Sequence, residues 1–293
     1  WFFLDSESAP VVAFFLFQLG FIATATTLIS GAVAERMRFA GYLAVTVLVA
    51  ALLYPLFGRW AWGDADLTTQ AGGSDGWLRE LGFVDFAGST VVHSMGGWVA
   101  LAAIILIGAR IGRFGPGAAP IRGSNLPLTT LGVFILWVGW FGFNGGSLYG
   151  LTSEVPSVIL NTTLAAAFGG LTGMALSWFL MGRPDVVAIM NSALAGLVGI
   201  TASANIMSAP AAVVIGIVAA IAMLALEALL VRLQIDDAVG AVPVHLGAGG
   251  LGNASEAEGP LVAPQLARGA QGPRSRLDRA GLDEVEVEIA VRV

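Results

Sequence analysis

The chain has no cysteine, and all 14 of its cations are arginine, so it has no lysine either. Without cysteine there is no disulfide, no thiolate metal site and no thiol nucleophile. Charge of either sign is scarce: Asp, Glu and Arg make up 12% of the 293 residues, against about 25% in a soluble globular domain. So few charges cannot cover a water-facing surface of ordinary size. The balance is acidic, net −6, with no basic run, which argues against a nucleic-acid partner. Only two histidines are present. No nucleophile, base and orienting group recur around them, so the chain does not read as an enzyme. No motif asks for a metal or cofactor, and none is expected.

What remains is apolar. Hydrophobic residues account for 56% of the chain and glycine for 39 positions, and the mean hydropathy is +0.82. Such a chain takes the bilayer as its solvent, where helices satisfy their own backbone and glycines let them pack closely. The fold class is therefore all-α, a polytopic membrane helix bundle.

The sparse charges divide the chain into segments. Uncharged runs cover 8–34, 39–58, 86–109, 123–153, 155–182, 186–226 and 238–255. A spanning helix needs about 20 apolar residues. The first six runs each hold a span, and 186–226 reads as two helices broken at Ser208-Ala209-Pro210. The run 238–255 is shorter and starts an eighth. Seven full spans and one partial span are expected. Arginine follows the first span (Arg36, Arg38), the third (Arg110, Arg113, Arg122), the fifth (Arg183) and the seventh (Arg232). The positive-inside bias puts those loops in the cytoplasm and Trp1–Glu7 outside. The first residue is not Met and no charged n-region precedes the first span, so no signal peptide is expected and the natural start is expected upstream. The membrane domain is read as 1–252. The remainder, 253–293, holds 5 Arg and 7 acidic residues with two Gly-Pro pairs, and reads as a disordered tail.

A repeat carries the first functional clue. Asp85-Phe-Ala-Gly88-Ser-Thr-Val-Val92-His93 and Asp237-Ala-Val-Gly240-Ala-Val-Pro-Val244-His245 share the pattern Asp-x-x-Gly-x-x-x-Val-His. Glycines follow both histidines. By span counting, one acid lies at an outer helix end and the other on the cytoplasmic side, so the copies run antiparallel. That arrangement marks an inverted repeat with its site at the pseudo-two-fold interface. A lone intramembrane histidine is often only an interhelical hydrogen-bonding residue. Both of the chain's histidines at matching places point instead to a pathway. Each Asp reads first as a helix cap.

These segments, with Gly31-Ala-Val-Ala-Glu35-Arg36, Gly139-Trp140-Phe-Gly-Phe143-Asn144-Gly-Gly-Ser147 and Ala195-Gly-Leu-Val-Gly-Ile-Thr201, resemble the ammonium transporter (Amt/Rh) family on its Amt side. The resemblance covers roughly Phe14 to Gly250. It implies an ammonium transporter of the cell's inner (plasma) membrane that recruits the cation, deprotonates it and conducts ammonia. It places His93 and His245 on a twin-histidine pair in the pore, with ring nitrogens about 2.7–3.2 Å apart. Phe21 and Phe143 become a stacked gate on the outer side. Trp62 and Ser147, with Phe21, form an ammonium recruitment site, and Asp85 is the buried acid beside it. Trp140, Asn144 and Thr201 are further pore or structural positions. The implied partners are ammonium or ammonia, the lipid bilayer, two further copies in a homotrimer and a cytoplasmic nitrogen-signalling regulator. The family's eleven spans imply two helices before Trp1 and one after the tenth, including part of the trimer interface. An ammonium sensor and a truncated fragment without transport stay open as alternatives.

The cysteine-free background makes the topology testable. A single cysteine placed between Arg110 and Arg122 should react with an impermeant maleimide only from the cytoplasmic side. Labelling of intact cells from outside would reverse the assignment.

Overall fold

A computed structural model of the chain describes residues 9–63 and 76–257. Among them every regular element is helical. First come α1 (Ala9–Ala32) and α2 (Phe39–Leu48), which passes through a π-helical turn, Val49–Leu53, into α3 (Tyr54–Trp62). The short α4 (Trp77–Glu80) precedes a second π-helical turn, Ser89–Ser94, that opens α5 (Met95–Ile107). Then follow α6 (Leu126–Gly145), α7 (Val155–Met181), α8 (Val186–Ile200) and α9 (Ala209–Arg232). A third π-helical turn, Val242–Gly247, opens α10 (Ala248–Ala257).

Local chemistry starts several of these helices. Asn125, Asp185 and Ser208 precede α6, α8 and α9, and their side chains accept from the backbone N–H of Leu128, Ala188 and Ala211. Pro127, Pro156 and Pro210 sit in first turns, where no N–H is needed. The outward faces stay apolar, with Leu106, Phe179 and Leu180 largely exposed. In water that surface would be a liability; against acyl chains it is the expected exterior. The chain is a multi-pass membrane protein.

Six helical stretches are long and apolar enough to span: Val11–Ala32, Phe39–Trp62, Ser89–Ile107, Leu126–Leu148, Val155–Met181 and Ala209–Arg232. This corrects the expectation of seven full spans. The break at Ser208 does separate α8 from α9, but α8 has only 15 residues. After Ile200 the chain passes into turns, in which Thr201 N donates to Val198 O and Ser203 N to Ile200 O, and the carbonyls of these turn residues face another part of the chain. Thr201 O accepts from Ala87 N at 3.0 Å and Ala202 O from Phe86 N at 2.8 Å. The matching contact recurs at the far end of the repeat, where Ala238 N donates to Ala32 O at 3.4 Å. In each copy the residue after the repeated Asp is stitched to the end of a helix from the other half. Where the sequence starts a partial eighth span after Asp237, the chain is helical through the turn Val242–Gly247 and α10, which runs on to Ala257, but this stretch is not among the six. The rest of the predicted tail lies outside the described residues.

α7, α8 and α9 pack closest together: a Cβ at Gly196 or Gly216 would overlap Ala165 O. At one end of the bundle, the loops after α1, α5 and α9 converge on Asp236, which is 2% exposed. Arg110 donates to its carboxylate from the backbone at 3.0 Å and from the guanidinium at 2.8 and 3.1 Å. Arg36 binds both its carboxylate and its carbonyl oxygen, and Arg113 lies at 3.4 Å. That these three loops meet on one side requires α8, despite its 15 residues, to carry the chain back across the bundle between α7 and α9.

Burial works to raise the Asp236 carboxyl, but hydrogen bonds from Arg110 and the charges of Arg110 and Arg36 outweigh it, bringing it from 3.8 to about 2. A depressed carboxylate stabilises the fold fully above its unfolded value and loses that contribution as pH falls toward the folded one. The thermal stability of the solubilised chain should therefore exceed that of Asp236→Asn above about pH 4, with the gap closing toward about pH 2. A gap independent of pH would remove Asp236 as the anchor of this cluster.

Candidate functional site

The two repeated motifs fold alike. After Asp85 and Asp237 the chain turns through Gly88 and Gly240, at φ 95° and 76°, a region that side-chain-bearing residues rarely adopt. This turn brings the following N–H groups back over the carboxylate. Asp85 Oδ1 accepts from Gly88 and Ser89 at 2.9 and 2.8 Å, and Oδ2 from Thr90 and Val91 at 2.9 and 2.8 Å. Asp237 accepts from Val239, Gly240 and Val242 at 3.3, 3.1 and 2.6 Å. The capping role expected of both acids is what the geometry shows. Each histidine then rides on a π-helical turn, a widened geometry frequent at functional sites.

From this base the aromatic groups form a column. Phe21 of α1 stacks on Phe143 of α6, with ring centroids 4.2 Å apart and planes at 19°. Phe143 in turn meets His93 at 5.3 Å. His93 lies nearly parallel to His245, 5.1 Å away at 17°, and to Trp140, 5.0 Å away at 14°. At the other end Trp62 approaches Phe21 at 6.2 Å. Its indole N–H donates to Asp85 O at 2.7 Å, so Asp85 positions Trp62 through its backbone while its carboxylate is committed to the turn.

Three further residues brace the column. Trp140 Nε1 donates to Thr201 Oγ1 at 2.8 Å, and the Thr201 hydroxyl donates in turn to Leu197 O at 2.6 Å. Ser147 Oγ donates to Phe143 O at 2.9 Å, leaving its lone pairs as acceptors. Asn144 Nδ2 donates to Thr162 Oγ1 at 2.9 Å, tying α6 to α7, and its Oδ1 is buried without a partner.

One expectation fails in detail. The two imidazoles make no direct hydrogen bond: Nδ1 of both rings and Nε2 of His93 are buried and unpartnered. The rings meet with nearly parallel planes, and no ring N–H is aimed at the facing nitrogen. His93 is 1% exposed, so these are polar atoms held in an apolar slot, an arrangement costly unless something polar visits. Sequence reasoning also passed over Phe17, whose ring lies 4.4 Å from that of Phe21. Its spacing of one helical turn before Phe21 was the available signal.

A family model described as the Ammonium Transporter Family matches residues 2–257. The chain belongs to the ammonium transporter family. A Synechocystis relative named for ammonium transport is 52% identical over 253 residues, which cover 84% of this chain and 46% of the relative. The ammonium transporter Amt2 of Archaeoglobus fulgidus is 42% identical over 253 residues, covering 83% and 53%. A solved structure titled Sensor Amt Protein superposes with TM-score 0.78 at 44% identity, covering 83% of this chain and 60% of that one. The chain spans about half the length of the curated relatives it matches. These family members share the helical membrane bundle that carries the column.

Removing the caps should rank their importance. Each buried donor left unsatisfied costs about 1–3 kcal/mol, so Asp85→Ala should lower thermal stability more than Asp237→Ala, whose turn is less buried. Asn replacements, which keep an acceptor, should be milder at both sites. Equal losses would mean the carboxylates do not hold these turns.

Proposed function

We propose that this chain supplies the conducting part of an ammonium transporter in the cell's plasma (inner) membrane. The observation that carries the reading is the unbroken succession Trp62, Phe21, Phe143, His93, His245, ending on buried imidazole nitrogens without partners. Ammonium reaching the membrane must shed water. The faces of Trp62 and Phe21 offset part of that cost by cation–π attraction, about 0.5–2 kcal/mol each, and the Ser147 lone pairs accept one of its N–H groups. Beyond the stacked Phe21 and Phe143 rings the walls are apolar, so the cation leaves its proton behind and ammonia goes on. A neutral imidazole offers one donor and one acceptor, which suits a molecule that both donates and accepts. Potassium has a similar radius but can neither donate a hydrogen bond nor give up a proton.

The proton that the cation gives up passes to the imidazole pair, whose unpartnered ring nitrogens can accept it on one side and hand on an N–H from the other. Asp85 acts indirectly, by holding Trp62 and the His93 turn. Trp140, braced by Thr201, holds the His93 ring, and Asn144 fixes α6 beside α7. No bond in the substrate other than N–H is broken, so the activity is transport and not enzymatic turnover, in keeping with the names of the relatives. The family resemblance further supports a homotrimer and a cytoplasmic nitrogen-signalling partner.

A second reading has specific support in the likeness to a structure titled Sensor Amt Protein. The two readings separate in proteoliposomes containing the chain. Transport predicts ammonium-evoked current and methylammonium uptake, both falling by tenfold or more when His93→Ala and His245→Ala are combined, a barrier change of about 1.4 kcal/mol or more. A sensor predicts saturable ammonium binding by Trp fluorescence with no flux. If the double variant still carries ammonium current and excludes potassium, the relay role of the histidines is wrong.

A further inference from the structure

The glycines that follow the two histidines are placed with the same offset and the same neighbour. Gly97 stands four residues after His93 and faces Leu246, the residue immediately after His245. Gly249 stands four residues after His245 and faces Ser94, the residue immediately after His93. A Cβ at Gly97 would lie 2.8 Å from Leu246 N and Cβ and 3.0 Å from its Cα. A Cβ at Gly249 would lie 2.6 Å from Ser89 O and 3.1 Å from Ser94 N. The obstacles are largely backbone atoms, so a flexible side chain swinging aside cannot relieve them. Each glycine thus seats the backbone that bears the opposite histidine.

We infer that Gly97 and Gly249 are specificity-determining positions, forming a reciprocal backbone seat that sets the separation of the two imidazoles. The seat is not held equally. Gly249 O also accepts from Thr90 Oγ1 at 3.3 Å, while Ser89 Oγ, at the same distance, gives its single proton to Val198 O at 2.7 Å. The matching residues in the other copy are Ala241 and Val242, which have no hydroxyl. The Gly97 contact rests on packing alone and is the one that a methyl group opens more readily. To admit that methyl, the Leu246 backbone must retreat from 2.8 Å to the 3.4 Å at which ordinary contact begins, carrying His245 away from His93. A wider gap leaves room for water between the rings and weakens discrimination against ions that keep a hydration shell. The claim about selectivity rests on the transport reading above; the claim about spacing does not.

The test uses the full chain in lipid nanodiscs with ¹⁵N-histidine, which labels only His93 and His245. Nitrogen–nitrogen dipolar recoupling between the rings gives the spacing without any transport assay. Gly97→Ala should lengthen it by roughly the retreat above, and Gly249→Ala should do the same. Gly250→Ala, at a neighbouring position with nothing within 4 Å of its Cβ, should leave it unchanged. Where an alanine variant does not fold, Thr90→Val serves instead: it removes one hydroxyl from Gly249 O without adding bulk, and should broaden both histidine signals. An unchanged ring separation in a folded Gly97→Ala, or unchanged signals in Thr90→Val, overturns the proposal. In proteoliposomes the potassium-to-ammonium current ratio should rise in Gly97→Ala and stay put in Gly250→Ala. Longer spacing with no ammonium flux even in the unmodified chain would sink the transport reading and leave the seat standing. Longer spacing with ammonium flux and an unaltered ratio would sink the selectivity claim.

Discussion

A backbone N–H buried away from water must find an acceptor, and the rest of this structure depends on how that demand is met at two helix starts. At both, the chain has to turn sharply, expose several N–H groups at once and then deliver a histidine. An aspartate folded back under its own turn meets the demand: Asp85 and Asp237 each take several of the N–H groups that follow them. The residue after each Asp is stitched to a helix end from the other half. The π-helical turns are then fixed at both ends, by the cap before the histidine and by the glycine seat after it.

The scaffold is pseudo-symmetric, but the site it carries is not. His93 lies between Trp140 and His245 and also meets Phe143. Thr90 reaches across to Gly249 O and Ser89 to Val198 O, where the opposite copy has Val242 and Ala241. Asp85 also holds Trp62 through its carbonyl, while Asp237 follows Asp236 and the arginine cluster. Similar backbones thus support an aromatic end and a charged, loop-anchored end. On the transport reading proposed above, a cation is handled at one side and a neutral molecule released at the other, and that inequality serves it.

Much of this was legible in the residues. Scarce charge between long apolar runs gives membrane helices, and the arginines give their alternation. The Asp-x-x-Gly-x-x-x-Val-His repeat marks the two histidines as partners, because few other residues explain a titratable group at that depth. The span count was less legible. Val186–Leu226 is uncharged throughout, and its sequence break at Ser208-Ala209-Pro210 lies well past Ile200, where α8 ends; the turn between them is held by hydrogen bonds from Phe86 and Ala87, more than a hundred residues earlier. The stack of Phe21 on Phe143 came from the family resemblance and not from spacing, since the chain has 16 phenylalanines that alternation cannot rank.

By itself the sequence determined the solvent of this protein, its helices, and which two short motifs must meet, because apolar length, charge scarcity and repetition are properties of the chain. The tertiary structure alone decided how the motifs meet: parallel imidazoles without a mutual hydrogen bond, a committed Asp85 carboxylate, an acid anchored by three arginines. Those outcomes turn on contacts between residues far apart in the chain. Their distances are set by where backbones can touch, at Gly97 and Gly249, and no local pattern encodes that.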